Sequence, residues 1–431
     1  MGSSSSLSAV CRAPGYETAR RPPIARFQDV RPQAVVRCAT AADVAETLAV
    51  ARRGEVPIAA RSGGHSFAGC SSTEGIVIDV SPMDAVAVGA GTATIGAGAR
   101  LAHVYDTLDE QGVTIPAGCG PTVGIAGLTL GGGLGILGRT HGLLCDSLLA
   151  ATLVLADGRT VTTDQHPDLL WALRGAGHGR YGVVTELVFK TVAPPPATAF
   201  RLVWPHAHAA SVAGAWQDWA PDAPDEIAAS LLITAPPEPE DPPIATVFGA
   251  MLGSKAETET TLAQLVDRAG ADPAGTELTH GTYRATKRRL AGEGGIEEGH
   301  IYTRSEFFAR SLPSETVAAL VDHVAESRVQ GQARELDFSP WGGAYNRTAP
   351  DATAFPHRNA RFLLKEAAVV ERDGDGAAAR RWVDDAWSTV HPWGTGGVYP
   401  SFPDPELEDP DRAYFLGNLD RVRGVEAAYT P

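Results

Sequence analysis

The chain has 431 residues, of which 44% are hydrophobic and 20% charged, and its formal net charge at pH 7 is −15. This length predicts two or three domains, and the acidic balance argues against nucleic acid or an anionic membrane surface as a partner. No apolar run reaches the roughly 20 residues needed to span a bilayer, which argues against a membrane protein.

The N-terminus and the cysteines bear on the cellular compartment. Residues 1–10 are rich in serine and lack the basic and apolar regions of a secretion signal, so the sequence predicts a cytoplasmic protein; secretion stays open if the N-terminus has been altered. The five cysteines are scattered, with no spacing typical of a zinc site or a disulfide framework. We therefore expect no metal.

The elements predicted between residues 32 and 192 are short and separated by glycine-rich turns. Thr40 is suited to cap a helix over 40–52, in which Val44 and Leu48 share one face. The other elements predicted here are strands over 56–60 and 76–80, a hairpin over 86–95, a helix over 101–108, and strands over 151–156 and 182–189.

A break at Pro194-Pro-Pro precedes a different kind of sequence. Residues 200–385 alternate helical and strand-like segments with Pro-rich loops, which predicts a second, α+β domain. The end of the chain predicts a helix over 410–429.

The segment from Arg61 to Gly69 reads Arg-Ser-Gly-Gly-His-Ser-Phe-Ala-Gly and follows a predicted strand. Consecutive glycines let the backbone approach a ligand closely and adopt positive φ, and such a turn directs its N–H groups toward an anion. A pyrophosphate fits this arrangement. His65 lies in the middle of the turn, where its imidazole would face the same ligand; a histidine that only hydrogen-bonds its own loop is the alternative.

A second glycine-rich run extends from Ala117 to Gly135, with too many glycines for a helix and too few polar residues for a solvated linker. We interpret it as a loop packed against a flat cofactor, the alternative being a flexible buried loop. Two matches to Gly-x-Gly-x-x-Gly, beginning at Gly133 and Gly177, lack the strand–turn–helix context of a dinucleotide site. A Rossmann nicotinamide site is therefore not favoured.

Four blocks of sequence, in order along nearly the whole chain, carry a family resemblance. They are Arg-Ser-Gly-Gly-His-Ser at 61–66 with Ile-Asp-Val-Ser at 78–81; Gly-Pro-Thr-Val-Gly-Ile-Ala-Gly at 120–127 with Gly-Gly-Gly-Leu-Gly at 131–135; the segments 142–146, 156–158, 168–177 and 181–185; and Ala-Phe-Pro-His-Arg at 354–358 with Tyr-Pro-Ser-Phe at 399–402. On these blocks the chain resembles the FAD-linked oxidases of the berberine-bridge-enzyme-like group, within the vanillyl-alcohol-oxidase superfamily.

The resemblance implies an α+β fold. A PCMH-type, two-part FAD-binding domain would be joined to a central substrate domain whose antiparallel sheet is backed by helices. We expect the FAD-binding domain over 1–196, the substrate domain over 197–390, and a C-terminal segment over 391–431 that returns to the FAD-binding domain.

The resemblance also implies that His65 bonds covalently to the 8α-methyl carbon of the flavin, a role that suits a neutral imidazole nitrogen near pH 7. Many relatives add a second bond from a cysteine directly before Pro-Thr-Val-Gly. Here Gly120 holds that position and Cys119 lies one residue earlier; an offset of one residue in an extended loop turns a side chain to the opposite side. We therefore predict a single linkage, with Cys119 free, although an unusual loop path could bring its sulfur to flavin C6.

The other cofactor contacts that the resemblance implies lie mostly in the glycine-rich blocks. They are Arg61, Ser62, Gly63, Gly64, Ser66, Gly69, Gly118, Cys119, Gly120, Thr122, Val123, Gly124, Gly127, Gly131, Gly132, Gly133, Gly135, Gly142, Asp146, Gly182 and Val184. Arg180 stands where the family usually has the Asn of Asn-Phe-Gly, and we interpret it as a surface charge rather than a phosphate ligand.

Bound flavin would take hydride from a substrate C–H bond at N5, and the protein would supply a base for an O–H or N–H proton. The family's terminal motif commonly has two tyrosines around an asparagine. Here it reads Tyr399-Pro-Ser-Phe402, so Tyr399 is a candidate base, with packing as the alternative. Asp351, Tyr345 and His357 are further candidates, each with a core or surface role as the alternative.

We expect a covalent-FAD oxidase that acts on a small organic substrate, such as an alcohol, a sugar or a secondary metabolite, and passes the electrons to O2 to give H2O2. The alternatives are a dehydrogenase with another acceptor and a flavin-binding cyclase or isomerase with no net redox change. The expected partners are the substrate and O2, without nucleic acid or membrane, and the protein is expected to be a monomer or a homodimer.

Overall fold

The computed structural model describes residues 9–10, 15–293 and 299–430. The strands are β1 (Ala9–Val10), β2 (Ala34–Arg37), β3 (Ile58–Arg61), β4 (Ile76–Asp79), β5 (Val86–Val88), β6 (Thr92–Gly96), β7 (Leu148–Val154), β8 (Thr160–Thr162), β9 (Val183–Lys190), β10 (Ala197–Pro205), β11 (Ile227–Ala235), β12 (Ile244–Met251), β13 (Gly275–Gly281), β14 (His300–Phe308), β15 (Gln332–Pro340) and β16 (Phe362–Val370). The helices are α1 (Tyr16–Arg20), α2 (Ala41–Arg53), α3 (Leu101–Glu110), α4 (Ile125–Leu130), α5 (Gly138–His141), α6 (Pro167–Leu173), α7 (Ala209–Trp219), α8 (Lys255–Ala269), α9 (Tyr283–Leu290), α10 (Ser314–Ala325), α11 (Ala344–Arg347), α12 (Gly376–Val390), α13 (Pro410–Phe415) and α14 (Leu419–Tyr429). None of these described helices is both long enough and apolar enough to cross a bilayer.

The first half of the chain forms two small sheets around one hydrophobic core. In one sheet β2, β4 and β3 run parallel and β1 adds an antiparallel edge; the other is antiparallel, in the order β5-β6-β9-β7-β8. Helix α2 begins where Thr40 and Asp43 accept each other's backbone N–H groups, and it buries Val44 and Leu48 in the core. The strands, the hairpin and the two helices predicted for this region are confirmed, with their ends displaced by at most three residues. The expectation that the run 117–135 has too many glycines for a helix is wrong, because the short helix α4 forms within it.

The second half forms a seven-stranded antiparallel sheet in the order β13-β10-β12-β11-β15-β16-β14. Successive residues of a strand point to opposite faces of a sheet. On one face Leu336, Phe338 and Leu364 pack with helices α7, α8, α10 and α12. On the other face Leu363 packs with residues of the 142–146 block, and Ala367 packs with Phe67. A sheet backed by helices on one side confirms the predicted α+β fold, and its other side faces the glycine-rich loops.

The C-terminal segment returns to the first half of the molecule. Helix α14 packs on α6, and Phe415, Val422 and Val425 join the N-terminal core. The prediction of one helix over 410–429 is wrong, because the chain turns at Leu416, where φ is 42°, and two helices form. The domain boundaries at residues 196 and 390 stay predictions.

Arg180 fastens this returning segment. Its side chain is only 20% exposed, because it forms ion pairs with Asp411 of α13 and with Glu426 of α14, and it lies over the Phe415 ring with 4.8 Å to the centroid. The interpretation of Arg180 as a surface charge is therefore wrong. Its charge is neutralised by two carboxylates of the C-terminal segment, so it serves to hold that segment in place.

Candidate active site and cofactor cradle

Two glycine-rich loops touch at the edge of the first core. One follows β3, and the other leads into α4. A Cβ atom added to Gly63 would lie 2.2 Å from the Gly124 nitrogen, and one added to Gly124 would lie 2.2 Å from Ser62 Oγ. Ser62 donates in turn to the Ala97 carbonyl at 2.6 Å. Only glycine permits this approach, and the resulting cradle of main chain fits the pyrophosphate-binding role predicted for the first loop.

His65 lies where the two loops meet. Its side chain is half-buried, and its Nε2 is 2.9 Å from Thr122 Oγ1 of the other loop. Gly64, directly before it, has a φ of 78°, the left-handed conformation that favours glycine. The contact with Thr122 brings two of the implied cofactor residues together and fixes the orientation of the imidazole ring. The covalent bond itself stays a prediction.

Cys119 lies three residues before Thr122 on the second loop. It is a free, half-buried cysteine. Lys287, which comes from α9 in the second half of the chain, donates to the backbone carbonyls of the two residues before Cys119. Burial lowers the pKa of this lysine, and the nearby thiol raises it by a smaller amount. The cysteine therefore lies near a basic group of α9.

A third glycine-rich turn, at residues 131–135, is held by two buried tyrosines. Tyr399 Oη accepts the N–H groups of Gly133 and the residue after it, at 3.0 and 3.1 Å. Tyr345 Oη accepts the N–H of Gly135 at 3.3 Å and donates to its carbonyl at 3.1 Å. Burial raises the pKa of both phenols. These contacts favour the packing alternative for both tyrosines, although the structure does place them beside a loop implied to bind the cofactor.

His357 and Asp351 both have contacts that favour the alternatives to proton transfer. The His357 ring is buried and stacks on Phe307, with 4.4 Å between the centroids, and its Nε2 is 3.1 Å from the Tyr414 carbonyl. Burial lowers the pKa of His357 to about 3, so the ring is neutral at physiological pH. Asp351 is exposed, and its backbone carbonyl accepts the indole N–H of Trp171. The structure therefore favours the core role for His357 and the surface role for Asp351.

Several side chains implied as cofactor contacts are engaged by the protein itself. Asp146 forms an ion pair with the fully buried Arg358, at 2.6 Å, and the buried Arg61 donates to two backbone carbonyls at 2.8 and 2.9 Å. Val184 is buried in β9, and a Cβ on Gly182 would lie 2.4 Å from a backbone oxygen. These residues shape the loops, and any contact that they make with a cofactor would come from their backbone.

The sequence analysis missed a row of polar residues on the face of the seven-stranded sheet that is turned toward the cradle. Asp337 of β15 and Lys365 of β16 are paired in register and form an ion pair at 3.2 Å, with their side chains 20% and 12% exposed. Ser305 of β14 is the next neighbour in the row. Lys365 Nζ lies over the Phe402 ring, with 5.3 Å to the centroid, and Phe402 lies 5.8 Å from the ring of Phe67 in the histidine-bearing loop. This row therefore faces the cradle.

One signal in the sequence points to this row. Segment 332–340 reads Gln-Ala-Arg-Glu-Leu-Asp-Phe-Ser-Pro, in which Glu335, Asp337 and Ser339 alternate with apolar Leu336 and Phe338. Such alternation predicts a strand with one polar face. It does not say that this polar face turns toward the first half of the molecule, since that depends on the order of strands in the sheet.

Comparison with known proteins extends the similarity over both halves of the chain. A family described as an FAD binding domain matches residues 32–164. The chain is 33% identical to the FAD-linked oxidoreductase YgaK of Bacillus subtilis, over 93% of this chain and 89% of that protein. It is 30% identical to a chitooligosaccharide oxidase of Gibberella zeae, over 93% of this chain and 85% of that protein. The solved structure of Physcomitrella patens BBE-like 1 superposes with a TM-score of 0.89 at 26% identity, covering 98% of this chain and 94% of that one.

Proposed function

Because the chain belongs to the FAD-linked oxidoreductases of the berberine-bridge-enzyme-like group, we propose that it holds FAD covalently through His65 and oxidises a small organic substrate by hydride transfer. The observation that carries this proposal is the meeting of His65 with Thr122 at a cradle of main chain. FAD, when bound, supplies the hydride acceptor.

The described loops contain the groups needed to hold this cofactor. Backbone N–H groups of the loops around Gly63 and Gly124 would hold the pyrophosphate. The turn at residues 131–135 would pack against the ring system, because glycines offer a flat surface without side chains. Tyr345 and Tyr399 would keep that turn in place through their hydrogen bonds.

We assign the covalent linkage to the imidazole ring of His65, whose Nε2 lies 2.9 Å from Thr122 Oγ1. The new bond would join a ring nitrogen to the 8α-methyl carbon of the flavin. In this step the imidazole and the methyl carbon would each give up a proton, and O2 would take up the released electron pair with two protons to form H2O2. The Thr122 contact would keep the imidazole in one orientation while this bond forms. We propose that Cys119 makes no second bond, because Lys287 holds the two backbone carbonyls directly before it on the side of α9.

We propose that Asp337 takes the O–H or N–H proton of the substrate as hydride leaves the neighbouring carbon. A carboxylate is ionised near pH 7 and can accept a proton. The side chain of Asp337 lies on the face of the sheet that is turned toward the cradle, and its ion pair with Lys365 holds it in position. Tyr399, the candidate from the sequence, is 1% exposed, and its oxygen is already engaged by two backbone N–H groups.

The row of Asp337, Lys365 and Ser305 also bears on the substrate. Hydroxyl groups can donate to the carboxylate and accept from the ammonium group, so the row suits an alcohol or sugar better than an apolar compound. The relative from Gibberella zeae is named a chitooligosaccharide oxidase. Oligosaccharides are therefore the first substrates to test.

The covalent linkage is tested by acid precipitation of the purified yellow protein, with peptide mapping of the pellet. We expect flavin to stay with the protein and to be attached to the peptide that carries His65, and the peptide that carries Cys119 to be unmodified. His65→Ala should release its FAD into the supernatant, whereas His103→Ala, at an exposed position on α3, should not. Free FAD from the wild-type protein would refute the covalent proposal.

The electron acceptor is tested by following O2 uptake and H2O2 release with a panel of oligosaccharides and simple alcohols. We expect one H2O2 for each substrate oxidised. Bleaching of the flavin without reoxidation in air would indicate a dehydrogenase with another acceptor. Substrate turnover without H2O2 and without consumption of any acceptor would indicate a cyclase or isomerase.

A further inference from the structure

The two halves of the chain meet where α9 lies against α3. Arg284 of α9 forms ion pairs with Asp106 and Asp109 of α3, at 2.5 and 3.4 Å, and is partly exposed at the rim of this contact. Lys287, one turn further along α9, is 4% exposed. The contact therefore has an ionic rim and a buried lysine inside it.

Lys287 is engaged mainly by the backbone of the second glycine-rich loop. Its Nζ donates to the carbonyls of Ala117 and Gly118, at 2.6 and 2.5 Å, and lies 4.3 Å from the centroid of the Tyr105 ring. The Tyr283 ring centroid lies 5.8 Å from Nζ. Burial lowers the pKa of Lys287, and the nearby Cys119 thiol raises it by a smaller amount. A buried ammonium group is costly unless its donors are satisfied. Packing of α9 against α3 could be achieved by apolar side chains alone, so it does not explain why a lysine is buried here.

The loop that Lys287 holds is anchored again at its other end. The first N–H groups of α3, from Leu101 and Ala102, donate to the carbonyls of Val123 and Pro121, at 3.0 and 2.9 Å. Between these two anchors lie Cys119 and Gly120, and Thr122 extends from the second anchor toward His65. The position of Thr122 therefore depends on both anchors, of which one comes from the second half of the chain.

We propose that Lys287 is a positioning residue for the attachment of flavin to His65, and that it keeps the Cys119 thiol turned toward α9. The proposal rests on the covalent linkage proposed above. By holding the carbonyls of Ala117 and Gly118, Lys287 sets the path of the loop, so that Thr122 meets His65 and orients its ring. The same ammonium group keeps the cysteine sulfur on the α9 side of the loop, which limits the cofactor to a single bond.

The test compares Lys287→Met with Arg284→Met, both purified with bound FAD. Methionine is similar to lysine in length and donates no hydrogen bonds. Arg284→Met removes the two Arg284 ion pairs of the rim, keeps the weaker Arg288–Asp106 pair at 3.6 Å, and leaves the loop contacts intact. We measure the rate at which noncovalent flavin becomes acid-stable during incubation. A small misplacement of a reacting group can lower a rate by about 100-fold, and we expect a loss approaching this size in Lys287→Met. Arg284→Met should match the wild type.

Peptide mapping and a conservative variant separate positioning from general loss of structure. Lys287→Arg keeps donors for the two carbonyls and should restore most of the attachment rate. If Lys287→Met does not fold, Lys287→Gln, which keeps one donor group, should still attach flavin several-fold more slowly than the wild type. A flavin adduct at Cys119 in either variant would also support the proposal. A wild-type rate with attachment only at His65 would overturn it.

The two proposals can fail separately. If the wild-type protein releases all its FAD in acid, the covalent linkage is refuted, and the role of Lys287 is then decided by the dissociation constant for FAD. We expect this constant to rise about tenfold in Lys287→Met, because a tenfold change needs only about 1.4 kcal/mol, and to stay unchanged in Arg284→Met. Equal constants in the two variants would overturn the role of Lys287.

Discussion

The two walls of the proposed active site are built differently. The wall from the first half of the chain is mainly backbone. Gly63 and Gly124 let two loops touch, and the phenol oxygen of Tyr399 accepts backbone N–H groups of a third turn. The wall from the seven-stranded sheet consists of side chains, with Asp337 and Lys365 projecting from adjacent strands. A backbone wall tolerates no added atoms, whereas a side-chain wall can change its chemistry while its strands stay in place. Under the proposed function, the molecule would thereby separate recognition of the cofactor from recognition of the substrate.

The largest effect is expected from adding one carbon to the backbone wall. In Gly124→Ala the new Cβ would lie 2.2 Å from both the Gly63 nitrogen and Ser62 Oγ, so the two loops must separate. We expect the flavin content of the purified protein, measured from the ratio of absorbance at the flavin band to that of the protein, to fall nearly to zero.

Gly214→Ala is the control for this substitution. Gly214 lies in α7, and a Cβ added there has no atom within 4 Å; in a helix, alanine is favoured over glycine. This variant should keep full flavin content and unfold at the same temperature as the wild type or slightly above it. Full flavin content in Gly124→Ala would show that the backbone wall is more tolerant than its geometry indicates.

Asp337→Asn tests the side-chain wall and should leave the cofactor in place. The amide has nearly the same shape as the carboxylate but is not a base, and loss of a general base lowers a rate by about 100-fold or more. We expect kcat to fall by this amount in steady-state assays, with unchanged flavin content. Asp384→Asn serves as the control, since Asp384 pairs with Arg304 on the helix-covered side of the sheet. If Asp337→Asn kept its kcat, the proton acceptor would have to be sought elsewhere.

The same contrast explains how much of the site could be predicted from the sequence. The backbone wall is encoded locally: a short run such as Ser-Gly-Gly-His specifies both the close approach of the chain and the residue at its centre, so the loops containing His65 and Thr122 could be found by inspection. The pairing of Asp337 with Lys365 depends on β15 and β16 becoming neighbours in register across 28 residues of sequence. No local pattern encodes that register, so the pair was missed.

The remaining candidate bases show what residue type alone does not reveal. His357, Tyr345 and Asp351 are candidates because their residue types can move protons and because they lie near a family motif. Residue type does not reveal burial, and the buried, neutral ring of His357 favours its core role. The fold itself was easier to predict, because alternation and helical periodicity record which face of each element is buried.

The helix-covered face of the sheet offers a third test, of stability rather than activity. Glu366 is fully buried on β16, and burial raises its pKa well above the ordinary value. The folded state therefore holds the Glu366 proton to a higher pH than the unfolded chain does. Stability should fall as the pH rises above the unfolded-state pKa, by at most about 1.4 kcal/mol per pH unit, until the folded-state pKa is reached.

Glu366→Gln should remove this dependence. Thermal unfolding of the two proteins should agree near pH 4, and the variant should become progressively more stable than the wild type toward pH 8. Glu306, whose pKa burial also raises, is present in both proteins, and because its charge raises the pKa of Glu366, the difference reports Glu366 together with this coupling. Parallel stability curves at all pH values would contradict the assignment of a protonated Glu366.

The smallest effect is expected from Tyr399→Phe, which tests whether this tyrosine belongs to the backbone wall or to the chemistry. Without its oxygen, the two N–H groups that it accepts lose their partner, which costs about 1–3 kcal/mol for each buried group left unsatisfied. A structural tyrosine would thus lower the unfolding temperature by a few degrees and change kcat less than about tenfold, whereas a catalytic base would lower kcat by about 100-fold. We expect the first result, with a slower attachment of flavin, because the turn at Gly133 that the phenol holds belongs to the backbone wall. A large loss of kcat with unchanged stability would instead assign proton transfer to Tyr399 and leave Asp337 to bind the substrate.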